Sequence, residues 1–346
     1  MEIKHSIVTW DSTYRNFFHL IDGLIAQNYS RENFELIYVE QRTRKIADAY
    51  NHNLGLKSLW DRYQEVKSKI NIKIIYLGLP FKIPYHNGRC NNAGLNVTKG
   101  EIISIMDGDQ LLPPDFLRKL TAYHLNHPKA VINLDRRCAM YPVGVNSYKE
   151  WRKGSKDFKK CLDACISKYS PVPEIARNKP PMISSRNKFW KLIEGCDPHL
   201  IWSTVSSRFG IDVTRRLEIA SGTRAIALAD CFSVHPWHPI GAGVLRSTDE
   251  DSKKLFALQD KLIKWSLKHK DPRYSSRTNY INNFCESNKL LINKIVYSSE
   301  RRGESMKFKI KNNNLLIDKI KCRCGQLLRK YFYKIIEAQK VSSEKF

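Results

Sequence analysis

The chain has 346 residues, 42% of them hydrophobic and 11% aromatic, which is enough apolar material for a sizeable core and too much for a disordered chain. That length suits one large α/β domain with an appendage and leaves little room for two unrelated enzymes. Lys and Arg number 59 against 34 Asp and Glu, a formal net charge of +25, so the surface attracts polyanions without naming one.

No helix-turn-helix, zinc-finger spacing or RNP-like aromatic strand accompanies the charge, and no specific nucleic-acid partner is expected. The nine cysteines, at 90, 138, 161, 165, 196, 231, 285, 322 and 324, are odd in number and lack paired spacing. They read as structural thiols of a reducing compartment. The first residues, Met1 to His5, pass straight into a strand pattern without a signal-peptide signature, and no apolar run approaches the ~20 residues of a membrane span. The expectation is a cytoplasmic protein, soluble or peripheral on the inner face of the membrane.

Short β-rich runs alternate with helical patterns from the start, the sign of βαβ units and a mostly parallel sheet. Ser6–Trp10 reads as the first strand; Tyr14, Phe17, Phe18, Ile21, Leu24 and Ile25 then recur at helical spacing. Phe34–Glu40 is a second strand, a polar helical stretch follows from about Lys45 to Lys69, and Ile72–Leu77 is a third strand. Asn91–Asn96 is helical and leads into the strand Ile102–Met106, after which Pro113-Pro114-Asp115 opens another helix. Residues 141–182, rich in Lys, Pro and Tyr, show no period and read as an irregular insertion. Regularity returns at Ser185–Ile193, in a helix from about Gly210 to Ile219, and in a β-like run Thr223–Asp230. The division expected is a domain over 1–245 and a basic, mainly helical extension over 246–346.

Asp107-Gly108-Asp109 stands where a buried strand ends, the edge at which open α/β sheets hold their ligands. Two carboxylates flanking one glycine form a compact oxygen-donor set for a hard divalent cation that also bridges phosphate oxygens. By itself the tripeptide is equally an ordinary turn.

Its surroundings carry more. With Asn91-Asn92-Ala93-Gly94-Leu95, Lys99-Gly100 and Glu101-Ile102-Ile103 upstream, the chain resembles the family 2 glycosyltransferases of the GT-A fold over roughly residues 5–240. The resemblance implies a Rossmann-like nucleotide-diphospho-sugar transferase: a mixed, mostly parallel sheet with helices on both faces, a nucleotide-diphospho-sugar donor, and Mn²⁺ or Mg²⁺. It turns Asp107 toward the ribose and makes Asp109 a metal ligand. Thr9 and Asp11 fall where the family binds the nucleotide, as does Asn92. Glu40 keeps a carboxylate for the base, or is a surface acid at a strand end; Gln41 departs from the family's paired Asp. Phe189–Asp197 resembles the acceptor-side segment, and Gly210-Ile211-Asp212-Val213 its Glu-Asp-hydrophobe run, with Ile211 in place of Glu. Asp212 then stands as the general base of an inverting transfer, or as a cap or first-turn acid of the helix. His235 and His238, in Val234-His235-Pro236-Trp237-His238-Pro239, stand where the family offers a further metal ligand, His235 preferred. Trp237 or Trp202 is a candidate for stacking on a sugar or base.

The basic run Leu315–Lys340 carries Leu316, Ile317, Ile320, Leu327, Leu328, Tyr331, Phe332 and Ile335 at amphipathic spacing. It suits either a helix lying on an anionic membrane surface, or one packed on the domain or on a second copy in a homo-oligomer. The first reading brings with it a glycan or lipid-linked saccharide acceptor. Two alternatives remain: a GT-A fold that binds a glycan or partner without catalysis, and a basic nucleic-acid-binding protein.

Overall fold

The structure is a computed structural model that describes residues 4–10, 18–53, 57–80, 83, 85–110, 112–138, 182–203, 207–228, 231–235, 250–289 and 292. Its main sheet has six strands in the order β3-β2-β1-β4-β7-β5. These are β1 (His5–Trp10), β2 (Phe34–Glu40), β3 (Ile72–Tyr76), β4 (Ile102–Met106), β5 (Ile132–Asn133) and β7 (Met182–Arg186). The first four run parallel, and β7 is antiparallel to both β4 and β5. Strands β2 and β4 are buried at every position, as near-continuous apolar runs must be when helices cover both faces. A second, two-stranded parallel sheet joins β6 (Asp135–Cys138) to β8 (Phe232–His235).

One face packs against α1 (His19–Ile25), α3 (Leu59–Val66) and α5 (Phe116–Asn126), through Leu20, Leu24, Leu59, Phe116 and Leu120. The other face is covered by α4 (Asn87–Leu95), α6 (Asn187–Leu192) and α7 (Ser207–Ser221). On α4 the close approach is made by Gly94, where an added Cβ would stand 2.4 Å from Val8 Cγ1. The helical stretch expected over 45–69 is two helices, α2 (Arg44–Asn53) and α3, and the second has its own start signal. Ser58 accepts from the Asp61 N–H while the Asp61 carboxylate accepts from the Ser58 N–H, a reciprocal capping box.

Behind α7 lie α8 (Glu250–His269) and α9 (Thr278–Glu286). Leu255, Leu258, Leu262, Ile263, Ile281 and Cys285 share a buried cluster with Val8, Ile37 and Ile105 of the central strands, so this part of the 246–346 segment belongs to the main core. The β-like run at Thr223–Asp230 contributes one bridge, Ile226 to Ile132, and the strand forms later, at β8. The chain turns at Gly222, with φ of 71°, and the Glu218 carboxylate holds the Ala225 N–H at 2.8 Å, which takes that donor from any ladder. The expected insertion up to residue 181 and the helix at 315–340 lie outside the described residues. Among the described residues, no helix is long and apolar enough to cross a membrane.

Candidate active site at the carboxyl edge of the sheet

Strand order reverses direction between β1 and β4, and such a switch point is where open α/β sheets hold their ligands. Thr9, Glu40 and Asp107 all stand at this edge, at the ends of β1, β2 and β4. Thr9 is wholly buried and its hydroxyl has no hydrogen-bond partner. Glu40 is wholly buried too, which removes the surface-acid reading, and its Oε1 accepts from the Arg42 N–H at 2.9 Å. Gln41, the departure from the paired Asp, knits the edge together. Its Oε1 accepts from the His86 N–H at 2.8 Å, the first link to α4. His86 caps that helix and is held neutral, its pKa lowered to about 4 by burial and by Arg89.

Beyond β4, Asp107 is part-exposed while Asp109 and Gln110 are wholly buried. Gln110 Nε2 donates to Asp109 Oδ1 at 2.9 Å, and Ser233 Oγ donates to Gln110 Oε1 at 2.6 Å. The Gly108 carbonyl accepts from the Leu20 N–H at 3.2 Å, fastening the loop to α1. A relay thus ties the Asp-Gly-Asp loop to β8, and His235 stands two positions further along that strand. The side chain of His235, and all of Asp11, Trp237 and His238, lie outside the described residues.

Among the described side chains no group of three His, Cys, Asp or Glu converges as a metal cage. Two carboxylates one residue apart are hard donors that fit a cation of the Mg²⁺ kind, which takes one or two carboxylates and completes its shell with water and phosphate oxygens. The fit is to a cation shared with a phosphate-bearing ligand.

The segments at 189–197 and 210–213 are built differently. Asn92 Nδ2 donates to the Cys196 carbonyl and its Oδ1 accepts from the Cys196 N–H, both at 2.7 Å. The Asn92 amide therefore clamps α4 to the turn at 193–197. Gly195, at φ 75°, leaves the space: a Cβ there would stand 2.6 Å from Asn92 Oδ1.

Asp212 is neither a cap nor a first-turn acid, since α7 begins five residues earlier at Ser207. Its Oδ1 accepts from Arg277 Nη1 at 2.6 Å, and its Oδ2 from Arg277 Nη2 at 2.9 Å and Arg216 Nε at 3.0 Å. Arg277 also donates from Nη2 to Asp197 Oδ2 at 2.7 Å, and Arg216 from Nη1 to the carbonyls of Ile193 and Gly195 at 2.9 and 2.8 Å. Burial pushes the Asp212 carboxyl up, but Arg277 and Arg216 outweigh it and hold it below the usual carboxylate range. The carboxylate is an ion-pair anchor here, and it can take a proton from an outside hydroxyl only once Arg277 lets go. Burial also raises the Cys196 thiol to about 12, so it is no nucleophile. Trp202, another stacking candidate, is wholly buried against this wall, with the Arg277 guanidinium 5.6 Å from its ring centroid.

Arg216 had a legible signal, a guanidinium four residues after a helical Asp. Arg277 had none: 65 residues separate it from Asp212. Asn91 and the relay through Gln110 and Ser233 were equally silent.

Strand order, switch point and carboxylate-bearing loop define an α/β fold of the GT-A type, a mixed and mostly parallel sheet with helices on both faces. No family model matches the chain, and no curated protein does. Among solved structures, S. aureus TarS is similar with a TM-score of 0.50 at 14% identity, over 76% of this chain and 39% of that one. Its fragment 1–349 in complex with UDP-GlcNAc gives 0.49 at 14% identity, over 74% and 65%. The mannosyltransferase PcManGT from Pyrobaculum calidifontis, in complex with GDP-Man and Mn²⁺, gives 0.47 at 12% identity, over 94% and 81%. The chain spans about two fifths of TarS and just under two thirds of its fragment. What the likeness to TarS at 0.50 carries is the fold alone.

Proposed function

We propose that the chain is a metal-dependent glycosyltransferase that moves a sugar, with inversion, from a nucleotide-diphospho-sugar to a glycan or lipid-linked saccharide acceptor. The observation that carries this reading is the relay from Ser233 through Gln110 to Asp109, which fixes a buried carboxylate at the switch point of the sheet. A carboxylate held this way is pre-organised, and a second one two residues earlier adds negative charge that a cation would neutralise. Asp109 is the metal ligand in this reading, His235 the further ligand with His238 as the alternative, and Asp107 the ribose contact. Thr9 and Asp11 line the nucleotide, and Glu40 faces the base. When bound, Mn²⁺ or Mg²⁺ neutralises charge growing on the departing diphosphate. Asp212 is the base, and Arg277 must release it before it can accept the proton of the acceptor hydroxyl. The lipid-linked class of acceptor, and a peripheral place on an anionic membrane, rest on the basic run at 315–340 alone.

The test is hydrolysis of a panel of nucleotide-sugars by the full chain, with and without EDTA. One or two donors should turn over, EDTA should abolish turnover and Mn²⁺ or Mg²⁺ restore it, and Asp109→Asn should lower it at least about 100-fold, the scale of losing one preorganised electrostatic group. No turnover of any donor in any metal would sink the enzymatic claim.

The saturation of Asp212 by two guanidinium groups favours a second reading, a GT-A fold that binds a glycan or partner without turnover. Donor binding without hydrolysis or transfer would select it.

A further inference from the structure

Two neighbouring asparagines on α4 are in opposite states. Asn92 has both ends of its amide satisfied by Cys196. Asn91 is wholly buried, and neither its Nδ2 nor its Oδ1 has a hydrogen-bond partner. One turn earlier, the buried Asn87 has an unpartnered Oδ1 as well. Buried polar groups are nearly always paired in native proteins, and an amide with both ends orphaned is costly unless something else fills the role.

Position says what that something is. Asn87, Asn91 and Gly94 fall at helical i, i+4 and i+7, on one stripe of α4, and Gly94 sits on Val8 of β1 and Val39 of β2. Helix α4 runs from the carboxyl end of β3 to the amino end of β4, so Asn91 lies about one turn nearer the carboxyl edge than that contact. Gln41, beside Glu40 at the end of β2, holds this first turn through the His86 N–H, and Cys90 Sγ is 4.0 Å from the same amide oxygen. The orphaned amides therefore stand on the β1–β2 side of the switch point, away from the Asp-Gly-Asp loop that follows β4.

We infer that Asn91, seconded by Asn87, reads the nucleoside part of the donor. This rests on the glycosyltransferase reading above. A primary amide offers donors and an acceptor side by side. Phosphate oxygens only accept and would leave Asn91 Oδ1 orphaned. The matching partner both donates and accepts, as ribose hydroxyls or the amide edge of a base do. Asn91 is buried to the same degree as Thr9, Glu40 and Asp109.

The test is calorimetric titration of the full chain with UDP, GDP and inorganic pyrophosphate in Mn²⁺, for wild type and Asn91→Leu, together with the melting temperature of the unliganded proteins. Removing an unsatisfied amide should leave the melting temperature unchanged or higher. Binding of the preferred nucleoside diphosphate should weaken at least about fivefold, while pyrophosphate changes less than about twofold. Asn91→Ala must reproduce the affinity loss, which guards against misfit of the leucine branch. A fall in melting temperature with nucleotide affinity intact would overturn the inference and assign the amide to a buried water. Equal weakening of pyrophosphate would overturn it in favour of a phosphate contact. If wild type binds neither nucleotide and turns over no donor of the panel, the donor reading falls and this one with it; if wild type binds and both variants bind equally, this one alone falls.

Discussion

Two buried polar regions beside the main sheet are held together in different ways. Beside α7, Asp197, Asp212, Arg216 and Arg277 form a cluster in which Arg277 bridges both carboxylates and Arg216 joins Asp212 to two backbone carbonyls, leaving Arg216 Nη2 without a partner. At the carboxyl edge, Thr9 Oγ1, Asn87 Oδ1 and both ends of Asn91 are left without partners at the end of β1 and in the first turns of α4. An ion-paired cluster fixes the relation of elements far apart in sequence, whereas orphaned groups are tolerable where a ligand completes them. Charge pairing therefore distinguishes the two regions: the carboxylates of the first are held by guanidinium groups, while the amides and hydroxyl of the second lack partners.

The sharpest way to break this contrast is at Arg277. Arg277→Met leaves buried Asp212 with Arg216 alone and takes the guanidinium from buried Asp197, and losing one partner of a buried pair costs about 3–5 kcal/mol. Urea unfolding should show a loss of that size, and Arg277→Met combined with Asp212→Leu should recover part of it, because the uncompensated charge is gone. A loss under about 1 kcal/mol would mean that the cluster is not what joins α8 and α9 to the sheet.

A smaller effect is expected at Asn92. Asn92→Leu orphans the N–H and C=O of Cys196 and should cost about 2–3 kcal/mol of stability, roughly the penalty of two buried backbone groups. Asn91→Leu, one residue earlier, should cost nothing. Melting curves of the pair in the absence of nucleotide compare the two states within a single helix turn, and equal destabilisation would erase the distinction.

Much of the frame was legible because it rests on local rules. The apolar runs at Phe34–Glu40 and Ile102–Met106 announce central strands, and the alternation with helices announces parallel pairing and hence the edge where Asp107 and Glu40 sit. The segments of the site that depend on distant partners were not legible. Nothing at 232–235 marks a strand until β6 pairs with it, and residues 250–286 read as a basic appendage until Leu255, Leu262 and Ile281 are seen packed with Val8 and Ile37. Asn91 and Asn92 have the same chemistry in sequence, and only the approach of Gly195 and Cys196 makes one a clamp.

The mildest test at neutral pH uses a third polar cluster, at the amino edge of the sheet, where no ligand is expected. His5 pairs with Ser104 at 2.7 Å and Thr121 at 3.2 Å, and His124 with Ser184 at 2.8 Å. Burial lowers the pKa of each to about 3, helped for His5 by His124 and for His124 by Arg186. Both are neutral in the folded chain, while the unfolded chain takes up protons near the ordinary value of 6.5. The folded state therefore binds fewer protons between 6.5 and about 3; the stability this contributes is full above 6.5 and is lost as the pH falls through that window. Each histidine adds a slope of at most about 1.4 kcal/mol per pH unit there. Urea midpoints from pH 7.5 down to 5 should fall for wild type, and His124→Gln, which keeps a donor for Ser184, should flatten the curve by one histidine's share. Parallel curves would mean that His124 is not held neutral by the fold. A shallower slope in wild type when UDP or GDP is present would instead couple this edge to the carboxyl edge, which the separation of the two clusters across the length of β1 argues against.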